Sequence, residues 1–216
     1  MNRIVTQFAA VAVLAGAVAC SKDSTGPGGG TALGNYYGVF GASNGSASIG
    51  GTLVIIVVTG SASGTLTPEG AAGIPLSGTY NAGSGAVSLS GGGHSLGGTI
   101  TGGTLDGTYT GPGGEVGKFG THHGTTSSDV QLFCGSYAGD SQGVWNLAKA
   151  GNALVGAYAD DGGGSAQLTG TVSGSAISIT FSGGTAAGTL ASATTMGGTW
   201  TAGASSGTWT GATPCP

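Results

Sequence analysis

From Leu33 onward apolar and polar residues alternate one by one in short runs bounded by Gly, Ser, Asn or Asp. Successive side chains of an extended chain point to opposite faces, so this alternation predicts half-buried strands. The clearest case is GTWTAGASSGTWTG, Gly198–Gly211, two copies of a unit with Gly, Trp and Gly on one face and two threonines on the other. Trp200 and Trp209 then face inward, and the neighbouring glycines leave room for the rings on a curved sheet. In the second half of the chain, strand candidates centre near Ser136, Trp145, Leu154, Leu168, Ile177, Thr189, Trp200 and Trp209. Their inward set is Trp145, Leu147, Leu154, Tyr158, Leu168, Val172, Ile177, Ile179, Leu190, Trp200 and Trp209. No helical period follows the N-terminal segment. An eight-stranded meander of this kind avoids exposed edges by closing into a barrel.

The pattern occurs twice. PLSGTYNAGSGAVSLSGG, Pro75–Gly92, lines up with QLTGTVSGSAISITFSGG, Gln167–Gly184, and LDGTYTG, Leu105–Gly111, with MGGTWTA, Met196–Ala202. Gly78 matches Gly170, Val87 matches Ile177, and Tyr109 matches Trp200, so the offset stays near 91 residues. The expected fold class is therefore all-β: two tandem antiparallel β-meander units, 33–126 and 130–216, each an eight-stranded up-and-down barrel, from an internal duplication. The pattern is also compatible with one larger sheet, and with hollow or filled interiors. The copies differ at TLVIIVVT, Thr52–Thr59, apolar on both faces, whereas its counterpart VWNLAKA carries Asn146 and Lys149. A strand apolar on both faces is usually covered. Val54, Ile56 and Val58 are accordingly expected to contact the other repeat, with a partner protein as the alternative.

Composition narrows the function classes. The 216 residues include 50 glycines, and only 6% are charged. So much glycine raises the possibility of disorder, but regular alternation and low net charge favour ordered β structure. A net charge of −4 from twelve charged side chains offers no basic patch for phosphates and argues against nucleic-acid binding.

The N-terminus reads as an export signal over 1–19: Asn2 and Arg3, then the apolar run Phe8–Val18, too short to span a membrane. Ala17, Val18, Ala19 and Cys20 resemble a bacterial lipobox, which implies lipidation of Cys20 and anchoring in the cell envelope; an ordinary signal peptide with an incidental cysteine is the alternative. By the same resemblance, Ser21 in place of Asp favours the outer membrane. Residues 20–32, rich in Gly, Ser and Pro, form a tether. The remaining cysteines, Cys134 and Cys215, bracket the second repeat. A closed barrel with an even number of strands starts and ends at one rim, which would bring the pair together as a disulfide; two unpaired thiols are the alternative.

Candidate chemistry is sparse. His122 and His123 would point to opposite faces of a strand, His94 in GGGHS reads as a solvated turn, and Asp160 with Asp161 reads as a hairpin loop, not a calcium site. No GxSxG elbow is present, and the spacing of Glu69, Asp106, Glu115, Asp129 and Asp140 promotes no carboxylate pair. Thr-x-Thr pairs such as Thr199 and Thr201 match ice-binding rows, but Thr is also a good strand former on a curved solvated face. No catalytic residue, metal or cofactor is predicted. GVWNLAKAGNALVGAYAD, Gly143–Asp160, together with the later GTW units, resembles the strand grammar of avidin-like and other calycin meander barrels. That resemblance implies a barrel holding a small ligand at its open end, without implying biotin. Aromatics near a mouth then nominate Tyr36, Tyr37, Tyr137 and Tyr158 as ligand contacts, with core packing as the alternative. The expected function is a non-enzymatic, lipid-anchored envelope protein binding a small ligand or a protein; a structural surface protein or a hydrolase using His122, His123 and Asp106 are the alternatives.

Overall fold

The structure is a computed structural model that describes residues 32–215; the expected signal segment, Cys20 and nearly all of the tether lie outside the described residues. The first eight strands are β1 (Gly34–Ser43), β2 (Ser48–Val58), β3 (Ser61–Pro68), β4 (Ile74–Asn81), β5 (Ala86–Gly91), β6 (His94–Thr101), β7 (Thr104–Thr110) and β8 (Val116–Gly124). A single 3-10 turn, Ser127–Asp129, leads into the second eight. These are β9 (Gln131–Gly139), β10 (Gly143–Ala150), β11 (Ala153–Asp160), β12 (Ser165–Ser173), β13 (Ala176–Phe181), β14 (Gly184–Leu190), β15 (Thr195–Ala202) and β16 (Ser205–Ala212). Every strand pairs antiparallel with its sequence neighbours, β8 returns to β1, and β16 returns to β9. The chain is two closed eight-stranded barrels in tandem, the architecture its alternation predicts.

Alternation fills each interior. In the first barrel Tyr36, Phe40, Leu53, Ile55, Leu66, Leu89, Leu105, Tyr109 and Phe119 are buried in one cluster. In the second, the whole predicted inward set shares one cluster, with Tyr158 and Leu190 half-buried at its edges. Trp145 stacks on Trp209 with ring centroids 5.5 Å apart. Gly188 makes room for this pair, since a Cβ there would lie 2.7 Å from the Trp209 ring. Each buried ring contributes roughly 1.5–3 kcal/mol by leaving water.

Closure brings the cysteines together. Cys134 sits within β9 opposite Ala212 of β16, and Cys215 follows just beyond, so a disulfide joins them with Cα atoms 5.0 Å apart. It closes a loop with a sequence separation of 81 residues around the second barrel.

The barrels touch, with the nominated residues at the margin of the contact: Val54 lines a groove at the junction beside Val130 and Leu132 of the second repeat. Val54, Ile56 and Val58 remain 37%, 43% and 49% exposed. The contact chiefly joins the outer faces of β1 and β8 to those of β10, β11 and β12, with β2 meeting β10 at its edge. Outward-facing Val39, Ala148, Val155, Ala157 and Ala159 are buried there. Small residues are frequent in this contact, and they let two curved sheets approach closely around Val39 and Val155. A Cβ on Gly120 would lie 2.6 Å from both Val155 Cγ2 and Gln167 Nε2. Asn146 then fastens the contact: its Nδ2 donates to the Phe40 carbonyl at 2.8 Å, and its Oδ1 accepts from the Gly135 N–H at 3.1 Å. The β9–β10 register skips Trp145 and Asn146, so this side chain takes over a backbone donor at a gap in the ladder. Asp161 makes a second link, accepting from the Ser48 N–H at 3.0 Å and the Ser48 hydroxyl at 2.6 Å.

Replacing Cys134 and Cys215 together by Ser is expected to lower the stability of the second barrel by about 3–5 kcal/mol, from the loss of loop-closure constraint. Urea denaturation with and without reductant checks this, and the double variant should be insensitive to reductant. Gly120→Val is expected to cost about 1–3 kcal/mol by overpacking while both barrels remain β-structured. Hydrogen exchange should show lost protection across β1, β8, β10 and β11.

Candidate functional site

The two barrels differ at the end where β9 runs into β10, β11 into β12, β13 into β14 and β15 into β16. In the second barrel that end holds a cavity of about 180 Å³, lined by Tyr137, Ser141, Trp145, Tyr158, Asp160, Phe181, Trp200, Ala202 and Ser205. Each aromatic arrives by strand alternation: Tyr137 near the end of β9, Trp145 near the start of β10, and Tyr158, Phe181 and Trp200 towards the ends of β11, β13 and β15. Their inward direction is therefore a backbone property. Trp145 and Tyr158 lie face to face, with ring centroids 6.0 Å apart and planes 16° from parallel. Tyr137 stands edge-on to Tyr158 and Trp200, at 81° and 88°. Phe181 stands at 88° to Trp145. The result is a cup with rings on several sides.

Polar groups mark its rim. The Tyr137 hydroxyl lies 3.4 Å from Ser141 Oγ, and its pKa is pushed up to about 12, chiefly by burial, with the Ser141 hydrogen bond opposing and the Asp160 charge adding. Burial also raises Tyr158. Both phenols are thus neutral at physiological pH. Asp160 Oδ1 accepts from the Gly164 N–H at 2.8 Å, whereas Oδ2 has no hydrogen-bond partner among the described residues. Neighbouring Asp161 turns the other way; bonds from Ser48 and then Gln142 hold its carboxyl below the usual range.

The corresponding end of the first barrel is filled. By register and strand position, Leu53, Leu66 and Gly91 stand where the second barrel has Trp145, Tyr158 and Phe181. Tyr109 there stacks on Phe40 at 4.8 Å and shares a 2.7 Å hydrogen bond with His94 Nδ1. His94 is buried by that bond, contrary to its expected place in a solvated turn.

No family model, curated protein or solved structure matches this chain. The chemistry of the cup rests on its own residues. Of the four tyrosines nominated from sequence, Tyr137 and Tyr158 meet in the cavity. Tyr36 is fully buried at the far end of the first barrel, its hydroxyl donating to the Ala32 carbonyl at 3.0 Å. Tyr37 points outward and lines a groove of about 470 Å³ at the barrel junction, with Val54, Val130 and Leu132. Trp145, Phe181, Trp200, Ser141, Asp160 and Ser205 are site residues that sequence reasoning missed. The signal available was the change from aliphatic or glycine to aromatic between matched positions of the two copies.

His122 and His123 diverge, as a strand requires. His123 faces inward against Tyr36 at 5.4 Å, and His122 faces the second barrel. Asp106 shares the outer face one residue pair along from His122, but no hydrogen bond or ion pair joins them among the described residues. Among those residues no three His, Cys, Asp or Glu side chains converge on a metal position.

The surroundings of His122 predict an acid-sensitive interface. Its Nε2 is buried without a hydrogen-bond partner, and burial holds the ring below the usual imidazole range, the nearby Ala148 and Ala153 carbonyls offsetting this only in part. The unfolded chain takes up a proton at about pH 6.5, before the folded chain does. Stability is therefore full above that pH, falls as pH drops through it, and levels off below the folded value. Urea midpoints between about pH 8 and pH 5 should show the decline, and His122→Asn should flatten it.

Proposed function

We propose that this is a non-enzymatic, lipid-anchored protein of the cell envelope that holds a small ligand in the open mouth of its second barrel. The observation that carries the reading is the aromatic cavity of about 180 Å³, present where the first barrel is filled by Phe40, Tyr109 and His94. Small-ligand sites are concave and mostly apolar, with a few converging polar groups, and the Ser141, Asp160 and Ser205 rim on five rings has that make-up. The volume is below the ~300 Å³ at which pockets for drug-sized ligands begin, so the ligand is a small metabolite or the head of a larger one. The lipobox-like Ala17–Cys20 supports attachment through acyl chains on Cys20, in the outer membrane by the Ser21 rule, with a tether giving the barrels reach. A second reading, docking of an envelope protein, is favoured by the exposed stripe Val54, Ile56 and Val58 beside the Tyr37 groove.

A thermal-shift panel of small metabolites and glycans tests the first reading. A true ligand at about 100 times its Kd adds roughly 2.7 kcal/mol, and Trp200→Leu or Tyr158→Leu should remove the shift. Tyr36→Phe should keep it, because Tyr36 lies at the far end of the other barrel. Loss of membrane fractionation in Cys20→Ser would carry the anchoring half.

A further inference from the structure

We infer that the cup takes a small organic cation, a quaternary or protonated amine; this rests on the reading of the mouth as a ligand site and names its chemistry. Three observations point to it. The first is the arrangement of rings. Tyr137 is nearly perpendicular to both Tyr158 and Trp200, and Phe181 to Trp145, so π-faces and edges bound the space from several directions. A sugar, which offers one C–H face, or a flat neutral ligand is served by one platform with hydrogen-bonding groups around its edge. A compact alkylated ammonium, with positive charge spread over its whole surface, is served by rings on several sides.

The second observation is the carboxylate. Asp160 lines the same cavity, and its Oδ2 has no hydrogen-bond partner among the described residues. A cation between the rings and this oxygen gains both the quadrupole attraction of the rings and a charge partner, in a mouth partly shielded from water.

The third is the distribution of charge. Asp140, Asp160 and Asp161 all stand at this end of the second barrel. The described residues contain two basic side chains: Lys118, outward on β8 opposite Gly41, where the first barrel packs on Ala157–Ala159 of β11, and Lys149 at the opposite end of β10, where its Nζ meets Gln131 Oε1 at 3.3 Å. With these three carboxylates against the one ammonium of Lys118, this end carries an excess of negative charge, which draws cations in and turns anions away.

Titration of the full-length protein with choline, tetramethylammonium, the neutral carbon isostere 3,3-dimethyl-1-butanol and methyl glucoside, read by tryptophan fluorescence and calorimetry, tests the inference. Choline and tetramethylammonium should bind about tenfold tighter than the isostere, the scale of a desolvated cation–π contact plus a charge. Asp160→Asn, which keeps the acceptor for the Gly164 N–H, should weaken choline about tenfold and leave the isostere unchanged. Glu69→Gln, an equal change of net charge on the first barrel, should have no effect. Equal binding of choline and its isostere, or binding of the glucoside alone, would overturn the cation while keeping the cup as a ligand site. Absence of binding by all four probes would overturn the cation, and a metabolite panel that also gave no Trp200-dependent shift would remove the ligand site itself.

Discussion

Closure of each eight-strand meander is the constraint on which the rest depends. Once β8 hydrogen-bonds to β1 and β16 to β9, no strand edge remains and every residue is either inside or outside. The even strand number returns each chain end to the rim where it began, which brings Cys134 beside the end of β16 and within disulfide reach of Cys215. Closure also puts four hairpin connections at the other rim. Whatever side chains alternation delivers there become a mouth or a plug.

The duplication let the two mouths diverge without a change of fold. Phe40, Leu53, Leu66, Leu89, Tyr109 and His94 pack the first barrel, and the His94–Tyr109 hydrogen bond satisfies the buried polar tips. In the second barrel Trp145, Tyr158 and Phe181 brace one another by stacking and edge contacts and leave space above them. Trp145 and Trp209 keep buried indole N–H groups without partners, so this core is less completely satisfied than the first. At the matched positions the first barrel has Leu53 and Phe119, which carry no polar group.

The contact between barrels follows the same economy of small side chains. Gly120, Ala148, Ala157 and Ala159 let two convex surfaces approach, and Asn146 uses the closeness to bond across to the Phe40 carbonyl. Hydrophobicity alone points to β2, where Val54, Ile56 and Val58 in fact stay exposed. Dispersion and desolvation gains require contact, and here they come where glycine and alanine on one sheet leave room for Val39 and Val155.

Alternation in the sequence by itself determined the strands, the inward set of the second barrel, the divergence of His122 from His123, and, through the parity of a closed meander, the Cys134–Cys215 pair. These are legible because the side-chain period of a strand is two, and closure converts that period into inside and outside. The tertiary structure alone decided which ends are open. Tyr36 and Tyr137 look alike along the chain, yet one is sealed in the first barrel and the other lines the cup. It also decided which outer faces meet, and that Asp160 faces the rings while Asp161 reaches Ser48. Such choices depend on how rings from four or five strands share one volume, a property of several distant residues at once that no local pattern contains.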